Sequence, residues 1–204
     1  MIPRVPSEFF AQHPVDCARG LIGAELVCGD CSGIVVETEA YCAVGDEAAH
    51  TFARPKAREF VEKYGPGTAY VYLNYGMYWL ANVLVKGRDS GFVLLRALEP
   101  LQGIEAMRQR RKLEKVTDLC SGPGNLTIAL GIEGSHHGDS FSSRRAPFHF
   151  QNPREGIEIR SDRRVGISKA VNLPWRFLAR QSRFVSVRAP APLHRGKWKR
   201  KKGR

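Results

Sequence analysis

The chain has 204 residues, 43% of them hydrophobic and 25% charged, with 32 Lys and Arg against 20 Asp and Glu for a net charge of +12. That length points to a single domain burying roughly 70% of the surface of its unfolded form, so neither disulfides nor a metal is needed for folding. No run of 18 uncharged apolar residues occurs, which excludes a helical membrane span. The start Met1-Ile2-Pro3-Arg4 lacks the apolar core of a signal peptide, so an intracellular protein is expected.

Ser7 to Ile22, with Phe9, Phe10, Val15, Ala18 and Leu21, reads as a short helical region ending at Gly23. Glu25 to Val27 and Gly33 to Tyr41 read as a β-hairpin about Gly29-Asp30. Tyr70 to Leu73 and Phe92 to Leu98 are the next expected strands, the second almost wholly apolar and so buried. Asn74 and Gly76 suggest a turn with Tyr75 at its tip. Leu101, Ile104 and Met107 lie at helical spacing, which predicts an amphipathic helix over Pro100 to Arg111. Ser121 is placed to cap a helix running to Leu130, with Pro123 in its first turn and Gly131 at its end. Residues 133 to 163 show no clear period. Strands and helices do not alternate regularly, so the expected class is α+β rather than a doubly wound parallel sheet.

The charge is uneven. The last sixteen residues hold seven Lys and Arg and no acid, leaving 25 basic against 20 acidic residues in the rest. We expect a folded domain over 1–188 and a basic, disordered tail over 189–204. Such a tail suits attraction to phosphate, and solvated chain without a partner is the plain alternative. The five cysteines, odd in number, argue against a disulfide framework. Cys28-Gly29-Asp30-Cys31 lacks the second ligand pair that a structural zinc needs, so no metal is expected.

Three stretches can carry chemistry. In a strand, Glu37, Glu39 and Tyr41 share a face and Val36, Thr38 and Ala40 the other. Two carboxylates beside a tyrosine suit acid–base work in a cleft, while an exposed polar edge is the simpler explanation. Tyr70 to Trp79 holds five aromatics in ten residues. They suit base stacking or wedging as well as an aromatic core. Arg96, inside the apolar run Phe92 to Leu98, needs a carboxylate partner if buried. His136-His137 reads as loop.

At these residues the sequence resembles the alkyladenine (3-methyladenine) DNA glycosylase family. The matching pieces are Val36-Glu37-Thr38-Glu39-Ala40-Tyr41, Asp46-Glu47-Ala48-Ala49-His50, Tyr70-Val71-Tyr72 with Tyr75-Gly76-Met77-Tyr78, and Val93 to Pro100. Met107-Arg108-Gln109, Leu119 to Pro123, Arg164-Val165-Gly166-Ile167 and Pro174-Trp175-Arg176-Phe177 follow in family order. The resemblance covers roughly residues 4 to 188.

That resemblance implies a single α+β domain built on a curved, largely antiparallel sheet with surrounding helices. It implies a monofunctional glycosylase that flips 3-methyladenine, 7-methylguanine, hypoxanthine or ethenoadenine out of duplex DNA and hydrolyses the N-glycosidic bond, with no strand cleavage and no cofactor. Glu39 matches the general base and Arg96 the arginine that holds it. Tyr41, His50 and Tyr72 match the walls of the base pocket, and Asn82 matches the asparagine that crowds the 2-amino group of guanine. Tyr75 matches the wedge, and Arg58 and Arg111 match contacts to the DNA backbone. The chain departs from the family at Lys56-Ala57-Arg58 and Glu62-Lys63, where many members carry Thr-Pro-Arg and Met-Phe, and at Asn125, where a lysine is common. The implied partner is double-stranded DNA acted on by a monomer, in bacterial cytoplasm or a eukaryotic nucleus. A catalytically silent lesion-binding module is the alternative, against which the presence of both Glu39 and Arg96 argues.

Overall fold

The computed structural model describes residues 3–143 and 146–187. The basic tail expected over 189–204 lies outside the described residues. Within them, eight strands form one antiparallel sheet: β1 (Glu25–Cys28), β2 (Cys31–Cys42), β3 (Ala69–Asn74), β4 (Tyr78–Lys86), β5 (Ser90–Gln102), β6 (Phe148–Gln151), β7 (Ile159–Asp162) and β8 (Arg176–Ala179). The helices are α1 (Pro14–Gly20), α2 (His50–Ala53), α3 (Pro55–Lys63), α4 (Ile104–Arg111), α5 (Val116–Leu119) and α6 (Pro123–Leu130). The expected α+β class is the observed one.

The strand order is β3-β4-β5-β2-β1-β6, and the β7–β8 pair joins the same sheet through β2. The long β2 therefore has β5 along one edge, with β1 and β8 sharing the other. Register shifts near Gly33 and on both sides of Glu37 interrupt the β2–β5 ladder. Such bulges bend a strand and raise its twist, which curls the sheet. One face packs α1, α4 and α6 over a core including Leu21, Leu26, Val36, Leu95, Met107 and Leu126. The opposite face carries a smaller cluster of Ala57, Phe60, Tyr70, Leu84 and Phe92, in which α3 closes over the strands. Period-two alternation sorts the two: Val71, Val83 and Val93 go to the main core, Tyr70, Leu84 and Phe92 to the other side.

Several sequence expectations hold. The hairpin turns at Gly29-Asp30, with Gly29 at φ 54, the position where a two-residue hairpin turn favours glycine. Tyr75 sits at the tip between β3 and β4. Gly131 ends α6 at φ 71. Others are corrected. The helical region at the start is a 3-10 turn over Ser7–Phe10 followed by α1. Pro100 to Gln102 belong to β5, and the helix begins at Ile104, because Gly103 at φ 69 breaks the strand. Ser121 caps nothing: the cap of α6 is Gly122 at φ 113, and Ser121 instead bridges Ala97 in β5. The patternless stretch 133–163 contains β6 and β7, each four residues long and too short to show a period.

Candidate active site

A cleft of about 520 Å³ opens on the sheet face opposite the main core. Its floor is made by alternate residues of three strands: Tyr70 and Tyr72 on β3, Leu80 and Asn82 on β4, Phe92, Leu94 and Arg96 on β5. α2 supplies His50, and the loop Val165 to Lys169 closes the far wall. The period of two thus delivers each strand's contribution to one side, and of β2 Tyr41 joins the lining.

Glu39 lies fully buried just beneath this floor. The hydroxyl of Tyr41 donates to its Oε2 at 2.7 Å, and the backbone N–H of Val165 donates to its Oε1 at 2.7 Å. Arg96 Nη1 stands 3.4 Å from Oε2. Burial, and then the adjacent Glu39 charge, push the Tyr41 phenol well above its usual range, so it stays a donor.

Glu37 has a separate environment. It is also fully buried, and its Oε1 accepts from Arg96 Nε at 2.7 Å, Arg176 Nε at 2.8 Å and the Ser186 hydroxyl at 2.9 Å. The Ser186 N–H donates to Oε2 at 2.6 Å, and Arg176 also donates to the Val187 carbonyl. Burial pushes the Glu37 carboxyl up, but Arg96, Arg176 and Ser186 together outweigh it and hold it below its usual value. The bulge explains how Arg96 spans both acids. Val35 pairs with Leu98, Glu37 with Ala97 and Thr38 with Leu95, leaving Arg96 as an extra residue opposite Glu37. Burial of both carboxylates overturns the exposed-edge explanation.

Tyr41, His50, Tyr72 and Asn82 all line this cleft. His50 packs against Tyr72 with ring centroids 4.4 Å apart, and its Nδ1 is 3.4 Å from the Tyr70 hydroxyl. Burial first, then the Arg54 charge, lower the His50 pKa to about 4, so the ring is neutral at physiological pH. Burial raises the Tyr72 phenol to about 12. Asn82 donates from Nδ2 to the Tyr70 carbonyl at 3.0 Å, which fixes its amide in the cleft wall. Tyr75 is 86% exposed at φ 49, beside exposed Met77 and Leu73. A bulky aromatic in this backbone region is strained, and such strain gathers at functional sites.

Two predicted residues sit elsewhere than the cleft. Arg58, on α3, donates from Nη1 to the Thr51 carbonyl at 2.8 Å and clamps α2 against α3. Arg111 donates from Nε to the Leu119 carbonyl at 3.0 Å, tying α4 to α5. Asn125 donates to the Ser121 carbonyl within its own helix start. His137 pairs with the backbone of Val71, a structural role consistent with loop.

Three features escaped residue-by-residue reading. Arg164 makes a buried bidentate pair with Asp46, Nη1 to Oδ2 at 2.6 Å and Nη2 to Oδ1 at 2.8 Å. Its guanidinium also lies 4.6 Å from the Tyr41 ring and 5.3 Å from that of Trp175. This anchor sets the wall loop and hence the Val165 N–H that meets Glu39. Arg176 and Ser186 complete the shell of Glu37. Asp46 and Arg164 both lie in quoted motifs, but nothing in their spacing pairs them across 118 residues. Among the described residues, no cluster of three or more His, Cys, Asp or Glu is arranged to hold a metal. Lys169, at the rim, pairs with Glu47 at 3.7 Å and is largely exposed.

A carboxylate held in fixed orientation under an aromatic cleft of this size is fitted to act on a flat ring system and on a bond just below it. Comparison with known proteins gives the same direction. The family model of methylpurine-DNA glycosylase matches residues 8–183. A protein of Agrobacterium fabrum named "Putative 3-methyladenine DNA glycosylase" is 45% identical over 187 residues, spanning 90% of this chain and 93% of that protein. Proteins of the same name from Rhodopseudomonas palustris and Nitrosospira multiformis are 43% and 42% identical. The first alignment spans 92% of this chain and 90% of that protein, the second 89% and 93%.

Proposed function

The chain belongs to the methylpurine-DNA glycosylase family, and from that premise we propose that it excises alkylated and deaminated purines from duplex DNA by hydrolysing the N-glycosidic bond. The observation that carries this reading is the placement of Glu39: buried, triply held, and directly beneath a cleft walled by Tyr41, His50 and Tyr72.

The roles follow from the geometry. The damaged nucleotide leaves the stack and its base enters between Tyr72 and His50 on one side and Tyr41 on the other. Tyr75, at its strained and exposed tip, fills the gap left in the duplex. Among the described residues, Glu39 Oε1 accepts only from the Val165 N–H and keeps a second lone pair, to which a water can donate. As the C1′–N bond lengthens, its electron pair goes to the departing purine and positive charge develops on the sugar. Glu39 stabilises that charge and takes the proton as the water oxygen bonds to C1′. Arg96 holds the carboxylate in place. A purine alkylated at N3 or N7 already carries positive charge and leaves neutral, whereas hypoxanthine departs with the bonding pair as an anion that takes its proton from water. The neutral ring of His50 adds no positive charge against a cationic base. The cleft's lysine, Lys169, sits at the rim in an ion pair, which fits hydrolysis rather than covalent attack by an amine.

Arg58 and Arg111 are assigned flanking contacts to phosphate through guanidinium donors beyond those holding α2 and α5. The basic segment 189–204 adds sequence-independent attraction to the backbone. Asn82, fixed by the Tyr70 carbonyl, crowds the 2-amino group of guanine.

The test is a single-turnover assay on duplexes holding one hypoxanthine or alkylated purines, developed with hot alkali. The expected outcome is free base released with strands intact until alkali is added. Duplex binding without release from either substrate would overturn the reading and leave a lesion-binding module.

A further inference from the structure

Arg54 stands at the mouth of the cleft with its guanidinium 5.7 Å from the centroid of Tyr72, a wall of the base pocket. Its backbone is fixed. It links α2 to α3 and precedes Pro55, which forces an extended conformation, observed at φ −116 and ψ 111. Its N–H donates to the His50 carbonyl at 2.7 Å, and its carbonyl accepts from Ala57 at 3.1 Å. The side chain is therefore carried to the rim by rigid chain.

The other cations of the cleft are matched. Arg96 is held by Glu37 and Glu39, and Lys169 pairs with Glu47. Arg54 is the cleft-lining cation with no ion pair among the described residues. Its positive field reaches the wall, where it opposes protonation of His50 and favours the ionised phenols of Tyr70 and Tyr72.

Aromatic walls ordinarily attract a cationic ring through their π faces. Here Arg54 already occupies that kind of position on Tyr72, and a second positive charge beside it is repelled. Resting on the glycosylase reading above, we propose that Arg54 is a specificity-determining residue that shifts excision from positively charged alkylpurines toward neutral lesions such as hypoxanthine. The residue touches neither Glu39 nor the reacting bond, so it acts on which base is retained.

The experiment compares single-turnover excision of hypoxanthine and of 7-methylguanine from otherwise identical duplexes by the wild type, Arg54→Lys, Arg54→Gln and Arg54→Glu. The 7-methylguanine to hypoxanthine rate ratio should stay near wild type in the lysine variant. It should rise roughly three- to tenfold in Arg54→Gln, the size of a partly screened repulsion at this distance, and further in Arg54→Glu. An unchanged ratio across the series overturns the proposal. So does an equal loss on both substrates with a shallower salt dependence of binding, which would make Arg54 a phosphate anchor. A second readout needs no turnover: by NMR, the His50 pKa should rise in Arg54→Gln, and a static value also overturns the proposal. A wild type that excises neither lesion would sink the glycosylase reading instead, while the His50 titration would still decide whether the Arg54 charge governs the cleft.

Discussion

Val165 and Glu39, 126 residues apart in the chain, meet where the backbone N–H of the first donates to Oε1 of the second at 2.7 Å. The contact fixes the orientation of the carboxylate from a loop, and the loop is fixed by the neighbouring residue. Arg164 is buried and locked to Asp46, to the Ala40 carbonyl at 3.0 Å and to the Ala170 carbonyl at 3.4 Å. Ala170, at φ 49, pays for that closure with backbone strain. Glu39 is thereby held from both sides, by its own strand neighbour Tyr41 and by a loop anchored to the segment that leads into α2.

Glu39→Gln keeps the shape and removes the proton acceptor of the proposed reaction. Excision should fall by at least about 10²-fold, the ordinary contribution of a positioned general base, while affinity for lesion-bearing duplex is retained. Single-turnover rates and a binding titration on the same duplex check both halves. Excision near the wild-type rate would remove Glu39 from its assigned role.

Glu37→Ala should act on stability more than on binding. It leaves the buried guanidinium groups of Arg96 and Arg176 without their shared acceptor, a loss of about 3–5 kcal/mol for a broken buried ion pair. The wild type should show the matching acid sensitivity. Because the folded-state pKa of Glu37 is lowered, its contribution is complete above the usual glutamate value and is lost as pH falls through the lower folded value. Urea unfolding from pH 7 down to 3 reads the slope, and the variant should lack this part of it.

Tyr75→Asn separates stability from function. Asparagine tolerates the left-handed backbone at φ 49 better than an aromatic, so stability should hold or rise by about 0.5–1 kcal/mol. Removal of the exposed ring should slow excision of a base-paired lesion and spare one already unpaired in a mismatch or bulge. Equal slowing on both would argue against a wedge.

His50 gives a second pH signature with a different window. Its folded pKa is about 4 against an ordinary 6.5. Between those values the unfolded chain binds a proton that the folded protein does not, so stability falls as pH drops from about 6.5 to about 4 and changes no further below that. His50→Gln should flatten this stretch of the stability profile. A retained slope would place the titrating group elsewhere.

Alternation along β2 was legible because a strand repeats every two residues: Glu39 and Tyr41 had to share a face, whatever lay opposite. The turn at Gly29-Asp30 and the tip at Tyr75-Gly76 were legible because local backbone geometry selects glycine. The family motifs named Tyr41, His50 and Tyr72, which line the cleft. The carbonyls that Arg58 and Arg111 meet on the adjoining helices were not legible from spacing. Which residue types line which strand face follows from residue order alone, through period and local dihedral preference. What each charge meets is set by the packed fold: Arg96 re-aimed by a bulge between two acids, Arg164 on Asp46, Ser186 and Arg176 on Glu37, Arg54 over Tyr72. The pairings of Arg96, Arg164, Arg176 and Ser186 join residues from tens to more than a hundred positions apart, and burial makes them obligatory because a charge out of water must find its partner wherever the fold supplies one.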